Sequence, residues 1–133
     1  MAASSDGNTA LIGEPGEESF TGVAWVFARS GSSWSAQQEL SGEGEELDGH
    51  FGVSATLSSD GSTALVGARK DEGGAGSAFV FSRSEGVWTQ QGPKLTGAGD
   101  AKPGLFGWST ALSANGEVAM IGGPRTAANL GAA

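Results

Sequence analysis

The sequence predicts an all-β chain of antiparallel four-stranded blade repeats, part of a β-propeller of which about two and a quarter repeats are present. Three observations predict it. Glycine is abundant, with 24 in 133 residues, as short strands joined by tight turns require. The chain repeats itself at an offset of 54 to 55 residues. Its most regular strands are apolar on both faces, bulky on one and small on the other, so both faces need a cover.

Residues 4 to 13, SSDGNTALIG, match 58 to 67, SSDGSTALVG, at eight of ten positions. The segment from Gly22 to Trp34 matches Gly76 to Trp88 at seven of thirteen, and 51 to 67 matches 106 to 122 at eight of seventeen. One whole unit, 51–105, is therefore flanked by partial ones, 1–50 with strands b, c and d, and 106–133 with strands a and b and a tail from Arg125.

Within a unit, strand a runs from Phe51 to Ser58 and again from Phe106 to Ser113. It ends at Asp60-Gly61 or Asn115-Gly116, as Asp6-Gly7 stands near the start, and such dipeptides supply the positive φ angles of a tight hairpin. Strand b is Thr63 to Gly67, with copies Thr9 to Gly13 and Val118 to Gly122. Strand c is Ser77 to Arg83, with its copy Val23 to Arg29. Trp25 and Phe27 share one face and Ala24 and Val26 the other, as Phe79 and Phe81 oppose Ala78 and Val80. Strand d lies at Trp88 and Trp34. Helix is expected to be negligible.

Phe-Gly at the head of strand a, with Gly13-Glu14-Pro15, Gly67-Ala68-Arg69 and Gly122-Gly123-Pro124 after strand b, resembles the FG-GAP repeat, the blade unit of integrin-α-like β-propellers and of many bacterial surface proteins. The resemblance covers almost the whole chain, although none of the three segments is Gly-Ala-Pro. It implies a multi-blade ring serving recognition or adhesion rather than catalysis, in an extracellular or cell-surface setting. The family's calcium loop, with alternating Asp and Asn between strands a and b, is where the chain departs: Ser58 to Ser62 and Ser113 to Glu117 each offer at most one well-placed acid, too few for six to eight oxygen ligands. No metal or other cofactor is expected.

Composition narrows the partners. A net charge of −8 repels phosphate backbones and anionic lipid heads, which argues against nucleic acid and membrane surfaces. Cysteine is absent, which removes disulfides and thiolate chemistry. No apolar run reaches the roughly 20 residues of a membrane span, and the first residues lack the pattern of a signal peptide. Compartment stays open on these grounds.

The residues singled out for ligand binding are Arg69, Lys70, Asp71 and Glu72, in the loop after strand b, and Trp108, which replaces Val53 of the repeat. Loops on a rigid scaffold present binding groups, yet alternating charge also marks any exposed loop. Trp34 and Trp88 fit either packing against strand c or stacking on sugars. The acidic stretch from Gly42 to His50 reads as a solvated loop, not shared by its equivalent with Asp100 and Lys102, and Gly73-Gly74-Ala75-Gly76 reads as a linker. The single histidine, His50, stands in no nucleophile or zinc motif, and no acid stands in a context that suggests a raised pKa. The expected function is a non-catalytic module binding a protein or glycan. A sugar-binding propeller and a carboxylate-dependent glycoside hydrolase are the alternatives. Incomplete units at both ends predict self-association or completion by further repeats.

Overall fold

A computed structural model describes residues 1–98 and 103–124. Asp100, Lys102 and the tail from Arg125 lie outside the described residues. The first sheet contains β1 (Ala2–Ala3), β2 (Thr9–Glu14), β3 (Val23–Ser30) and β4 (Ser33–Leu40), hydrogen-bonded in that order. The second contains β5 (Phe51–Leu57), β6 (Thr63–Ala68), β7 (Ser77–Ser84) and β8 (Val87–Gln90), with β9 (Leu95–Thr96) also on β7. The third, among the described residues, pairs β10 (Ser109–Leu112) with β11 (Ala119–Gly122). Single helical turns, α1 (Glu17–Phe20) and α2 (Asp71–Gly74), sit between strands b and c of the first two sheets. All pairings between strands are antiparallel.

The four-stranded antiparallel unit is as expected, with two corrections. The first sheet has a strand a after all: Ala2 and Ala3 pair with Leu11 and Ala10. Two alanines carry no alternation to read, so only their partner reveals them. The last strand of the second sheet is split into β8 and β9, with Pro93 between them; proline has no N–H to donate to a ladder.

The sequence repeat reappears as repeated bonding. In each a–b hairpin the first serine hydroxyl donates to the Asx side chain two residues on, Ser4 to Asp6, Ser58 to Asp60 and Ser113 to Asn115, at 2.6 Å each time. The Ser58 hydroxyl, then the N–H and hydroxyl of Ser62, pull the Asp60 carboxyl down to about 2. These carboxylates are thus engaged by their own turns. The hairpins also tie the sheets together, Ser5 N–H donating to Ser59 carbonyl at 2.8 Å and Ser59 N–H to Ala114 carbonyl at 2.9 Å.

The core lies between the first two sheets. The bulky face of the second, Phe51, Phe79, Phe81 and Trp88, meets the small face of the first, Leu11, Ala24, Val26 and Leu40. Phe51 packs edge-on against Phe79 and Phe81, at centroid distances of 5.3 and 6.0 Å. Gln38 of β4 reaches across, its Oε1 accepting from Trp88 N–H and its Nε2 donating to Trp88 carbonyl, both at 2.9 Å.

The Phe-Gly pair forms the seam. Gly52 has a φ of 88° and Gly107 one of 85°, a region that favours glycine. Gly52 lies against Gly13 and Val23 of the first sheet, and Gly107 against Gly67 and Ser77 of the second, so closely that a Cβ on Gly13 or Gly67 would overlap the facing glycine's carbonyl. Gly76 is no mere linker residue. Its φ is 87°, and a Cβ there would overlap Phe106 backbone.

Candidate functional site

The loop between β6 and β7, with the chain segments entering and leaving the second sheet, gathers the predicted residues at one end of the sheets. Arg69 follows β6, and its guanidinium carbon lies 4.7 Å from the centre of the Trp108 ring, a cation–π contact. Trp108 N–H is anchored on the carbonyls of Leu105 and Gly122, both at 3.1 Å, while its side chain stays 45% exposed. In the preceding seam the same two positions hold Pro15 and Val53, so the pair is an elaboration of one seam.

Lys70 donates its backbone N–H to Gly49 carbonyl at 2.9 Å, and its ammonium lies 3.7 Å from Asp48. Asp48 also contacts His50 Nε2 at 3.1 Å, and the His50 ring stacks on Phe20 at 5.7 Å. Asp48, His50, Glu72 and Leu105 all have φ between 55° and 65°, a cluster of left-handed non-glycine residues around one loop face. A depression of about 360 Å³ opens beside two of them, Asp48 and Leu105, and is also lined by Lys70 and the exposed Leu47.

Asp71 and Glu72 differ from their neighbours. Asp71 is fully buried. Its carboxylate accepts from Glu46 N–H at 2.8 Å, from Lys94 Nζ at 2.9 Å and from the Ser77 hydroxyl. Burial opposes its ionisation, but the bonds from Lys94 and Ser77, together with backbone N–H groups, outweigh this and hold the carboxyl below its ordinary value. The same two acids hold Lys94 charged against its own burial, with Glu72 at 2.8 Å. Asp71 therefore braces the loop, while Arg69, Lys70, Glu72 and Trp108 reach solvent to differing degrees.

Sequence reasoning missed Glu45. Far from being a solvated acid, it turns inward, and its Oε1 accepts from Phe51 N–H at 2.9 Å while Oε2 is buried without a partner. Burial pushes its carboxyl up to about 8, with Asp71 adding in the same direction and the Phe51 bond opposing. This corrects the expectation that no acid has a raised pKa. The folded chain thus holds this proton more tightly than the unfolded chain, whose value is near 4.5. The stabilisation is complete below about pH 4.5 and is lost as the pH rises through about 8. Denaturant midpoints of the wild type are expected to fall across that window, and those of Glu45→Gln to lose most of the slope; an unchanged slope in the variant would assign it to other groups.

Among the described residues, no three His, Asp or Glu side chains are arranged to hold a metal ion, and no helix is long and apolar enough to cross a membrane.

No curated protein matches the chain. Residues 34–81 match the FG-GAP repeat family, a stretch that runs from β4 through the Phe51-Gly52 seam and the Asp60-Gly61 hairpin to Phe81 of β7. With the same seam and hairpin repeated at 106 and 115, and with antiparallel sheets stacked face to face, the matched stretch 34–81 is an FG-GAP repeat within an all-β repeat chain.

Proposed function

We propose that this β-propeller-type repeat module is a non-catalytic binding unit, which engages a protein or glycan through the loop face that carries Arg69, Lys70, Glu72 and Trp108. The observation that carries the reading is the Arg69–Trp108 pair. It places a partly exposed indole and a guanidinium side by side on a seam whose backbone is fixed by glycine contacts. An aromatic face beside a cation suits a sugar ring with acidic substituents or an acidic peptide side chain. Asp71 and Lys94 serve as bracing beneath it.

The exposed indole also favours the narrower reading of a sugar-binding propeller. A glycan array and a displayed peptide library, each probed with wild type, Trp108→Ala and Arg69→Ala, separate the two. A ligand of either class is expected to be weakened about tenfold or more by both substitutions, the loss of roughly 1.4 kcal/mol. A ligand retained by both variants would move the binding face elsewhere.

We further propose that another blade, from the same protein or from a second copy, covers the outer face of the third sheet, where Val118 and Met120 are 66% and 65% exposed. Their counterparts in the first sheet, Thr9 and Leu11, are buried. Size exclusion with light scattering on this chain is expected to give a mass above that of one copy; a compact monomer at tens of micromolar would contradict it.

A further inference from the structure

The segment from Gly42 to His50 links β4 to β5 and lies as a strap across the corner formed by α2, the start of β7 and Lys94. A short set of bonds holds it there. Glu43 N–H donates to Gln90 Oε1 at 2.8 Å, Gly44 carbonyl accepts from Lys94 Nζ at 2.7 Å, Glu46 N–H donates to Asp71 Oδ1 at 2.8 Å, and Gly49 carbonyl accepts from Lys70 N–H at 2.9 Å. Between Gly44 and Glu46 the Glu45 side chain turns inward and rests on Gly49, where an added Cβ would overlap Glu45 Oε1.

Beneath the strap three carboxyl groups share one ammonium. Asp71 and Glu72 of α2 both pair with Lys94, and Glu45 is the third acid, with Asp71 and Lys94 both acting on its charge. Their bonds decide which of the three holds a proton. Asp71 accepts from Glu46 N–H, Lys94 and Ser77, and Glu72 pairs with Lys94. Glu45 Oε1 has only the Phe51 N–H, which it shares with the Thr21 carbonyl at 2.7 Å, and Oε2 is buried without a partner among the described residues. A buried oxygen that no donor reaches disfavours the carboxylate and favours the neutral acid. The other charged groups of the strap do not relieve this: Glu43, Glu46 and Asp48 are exposed, Asp48 is engaged with Lys70, and the His50 ring lies between Asp48 and Phe20.

We propose that the 42–50 strap is a proton-operated latch, seated while Glu45 is neutral and released when Glu45 ionises. With Glu45 neutral, two carboxylates face one ammonium. With it ionised, three do, and one of them keeps an inner oxygen without a donor. Repulsion from Asp71 and the cost of a buried charge are both relieved when the side chain turns out to water. The peptide groups that hold Lys94 and Asp71 belong to Gly44 and Glu46, on either side of Glu45, so the same rotation draws them off the corner. Burial raises the Glu45 carboxyl to about 8; the Phe51 bond and Lys94 oppose this, and Asp71 adds to it. The sign follows: the folded strap binds the proton more tightly than the unfolded chain, so it is seated at neutral pH and lost as the pH rises through about 8. Glu46, Leu47 and Asp48 line one wall of the 360 Å³ depression, and release takes that wall away. Loss of a ligand from the loop face at alkaline pH rests on the function proposed above; the latch itself does not.

The chain has no cysteine, so one nitroxide label can be placed on the strap by Leu47→Cys, at a side chain 84% exposed. Val87→Cys on β8, 59% exposed, gives the reference. In electron paramagnetic resonance the correlation time of the label on the strap is expected to fall about twofold or more as the pH rises through about 8, while that on β8 stays constant. With Glu45→Gln added, the strap label is expected to stay slow throughout. Carbon-13 NMR of the Glu45 carboxyl, which needs no substitution, is expected to give the same midpoint. A strap label whose motion ignores pH would overturn the proposal, as would the same change in Glu45→Gln or a Glu45 carboxyl that titrates near 4.5. Equal changes for both labels would also overturn it, since they would mean unfolding of the whole sheet rather than release of the strap.

Discussion

Gly67→Ala is expected to destabilise the chain by about 3 to 5 kcal/mol, near the upper end for a single substitution. The methyl group would stand inside contact distance of the Gly107 carbonyl oxygen and of Ser54 Oγ, and 2.9 Å from the Gly107 carbonyl carbon. Ser54 Oγ can rotate, though it would give up its 2.8 Å bond to Gly107 carbonyl. The Gly107 backbone cannot yield easily. It is held on one side by Phe106 N–H on Ala75 carbonyl at 2.9 Å and on the other by Trp108 N–H on Gly122 carbonyl at 3.1 Å. Its own left-handed φ also leaves few alternatives. Gly16→Ala is the matched control: no atom lies within 4 Å of the added carbon and φ is ordinary there, so its effect is expected to stay within about 0.5 kcal/mol. Urea unfolding monitored by circular dichroism compares the two. A Gly67→Ala midpoint equal to wild type would mean that the third sheet is not locked onto the second at this seam.

The parts of this fold legible in the sequence are those that repeat. Asp60-Gly61 and its two counterparts announce the hairpins because the turn itself demands those residues. The two apolar faces of Ser77 to Arg83 announce a covered sheet. The Phe-Gly pairs are readable as sites of close backbone approach, but the glycines that receive them, Gly13 and Gly67, are not. Those look like ordinary strand residues until the neighbouring sheet is in place. Charged loops are the least legible. Arg69, Lys70, Asp71 and Glu72 read alike in sequence, yet only Asp71 is buried, because Ser77 at the start of β7 and Lys94, 23 residues on, arrive to bond it. Glu45 sits in an acidic run that suggests solvent, and its inward turn meets the Phe51 N–H, which it shares with the Thr21 carbonyl at 2.7 Å. The Arg69–Trp108 pair had a signal in its departure from Pro15 and Val53, whereas its cation–π geometry needed the seam.

Trp88→Ala and Phe81→Ala are each expected to cost about 3 to 5 kcal/mol, the range for truncating a large buried aromatic, while Trp34→Ala costs under about 1 kcal/mol. Trp34 and Trp88 occupy the same repeat position, pairing with Arg29 and Arg83 respectively, so the sequence treats them alike. Their surroundings differ. Trp88 is 4% exposed because the first sheet covers it, with Gln38 bonded to its backbone on both sides. Trp34 lies on the outer face of the first sheet and is 47% exposed. Phe81 is buried beside Phe51, so its truncation leaves a void between two sheets whose backbones are pinned by the Gly13–Gly52 contact and cannot close on it. The indole of Trp88 is lost without loss of the Gln38 bonds, so its cost reports packing together with the Arg83 guanidinium that lies 5.8 Å from the ring centre. Denaturant midpoints for the three variants, measured at peptide-free low concentration, give the comparison. Equal losses for Trp34 and Trp88 would mean that the outer face of the first sheet is covered in solution, and midpoints unchanged in Trp88→Ala and Phe81→Ala would contradict a core formed by one sheet's bulky face on the next sheet's small one.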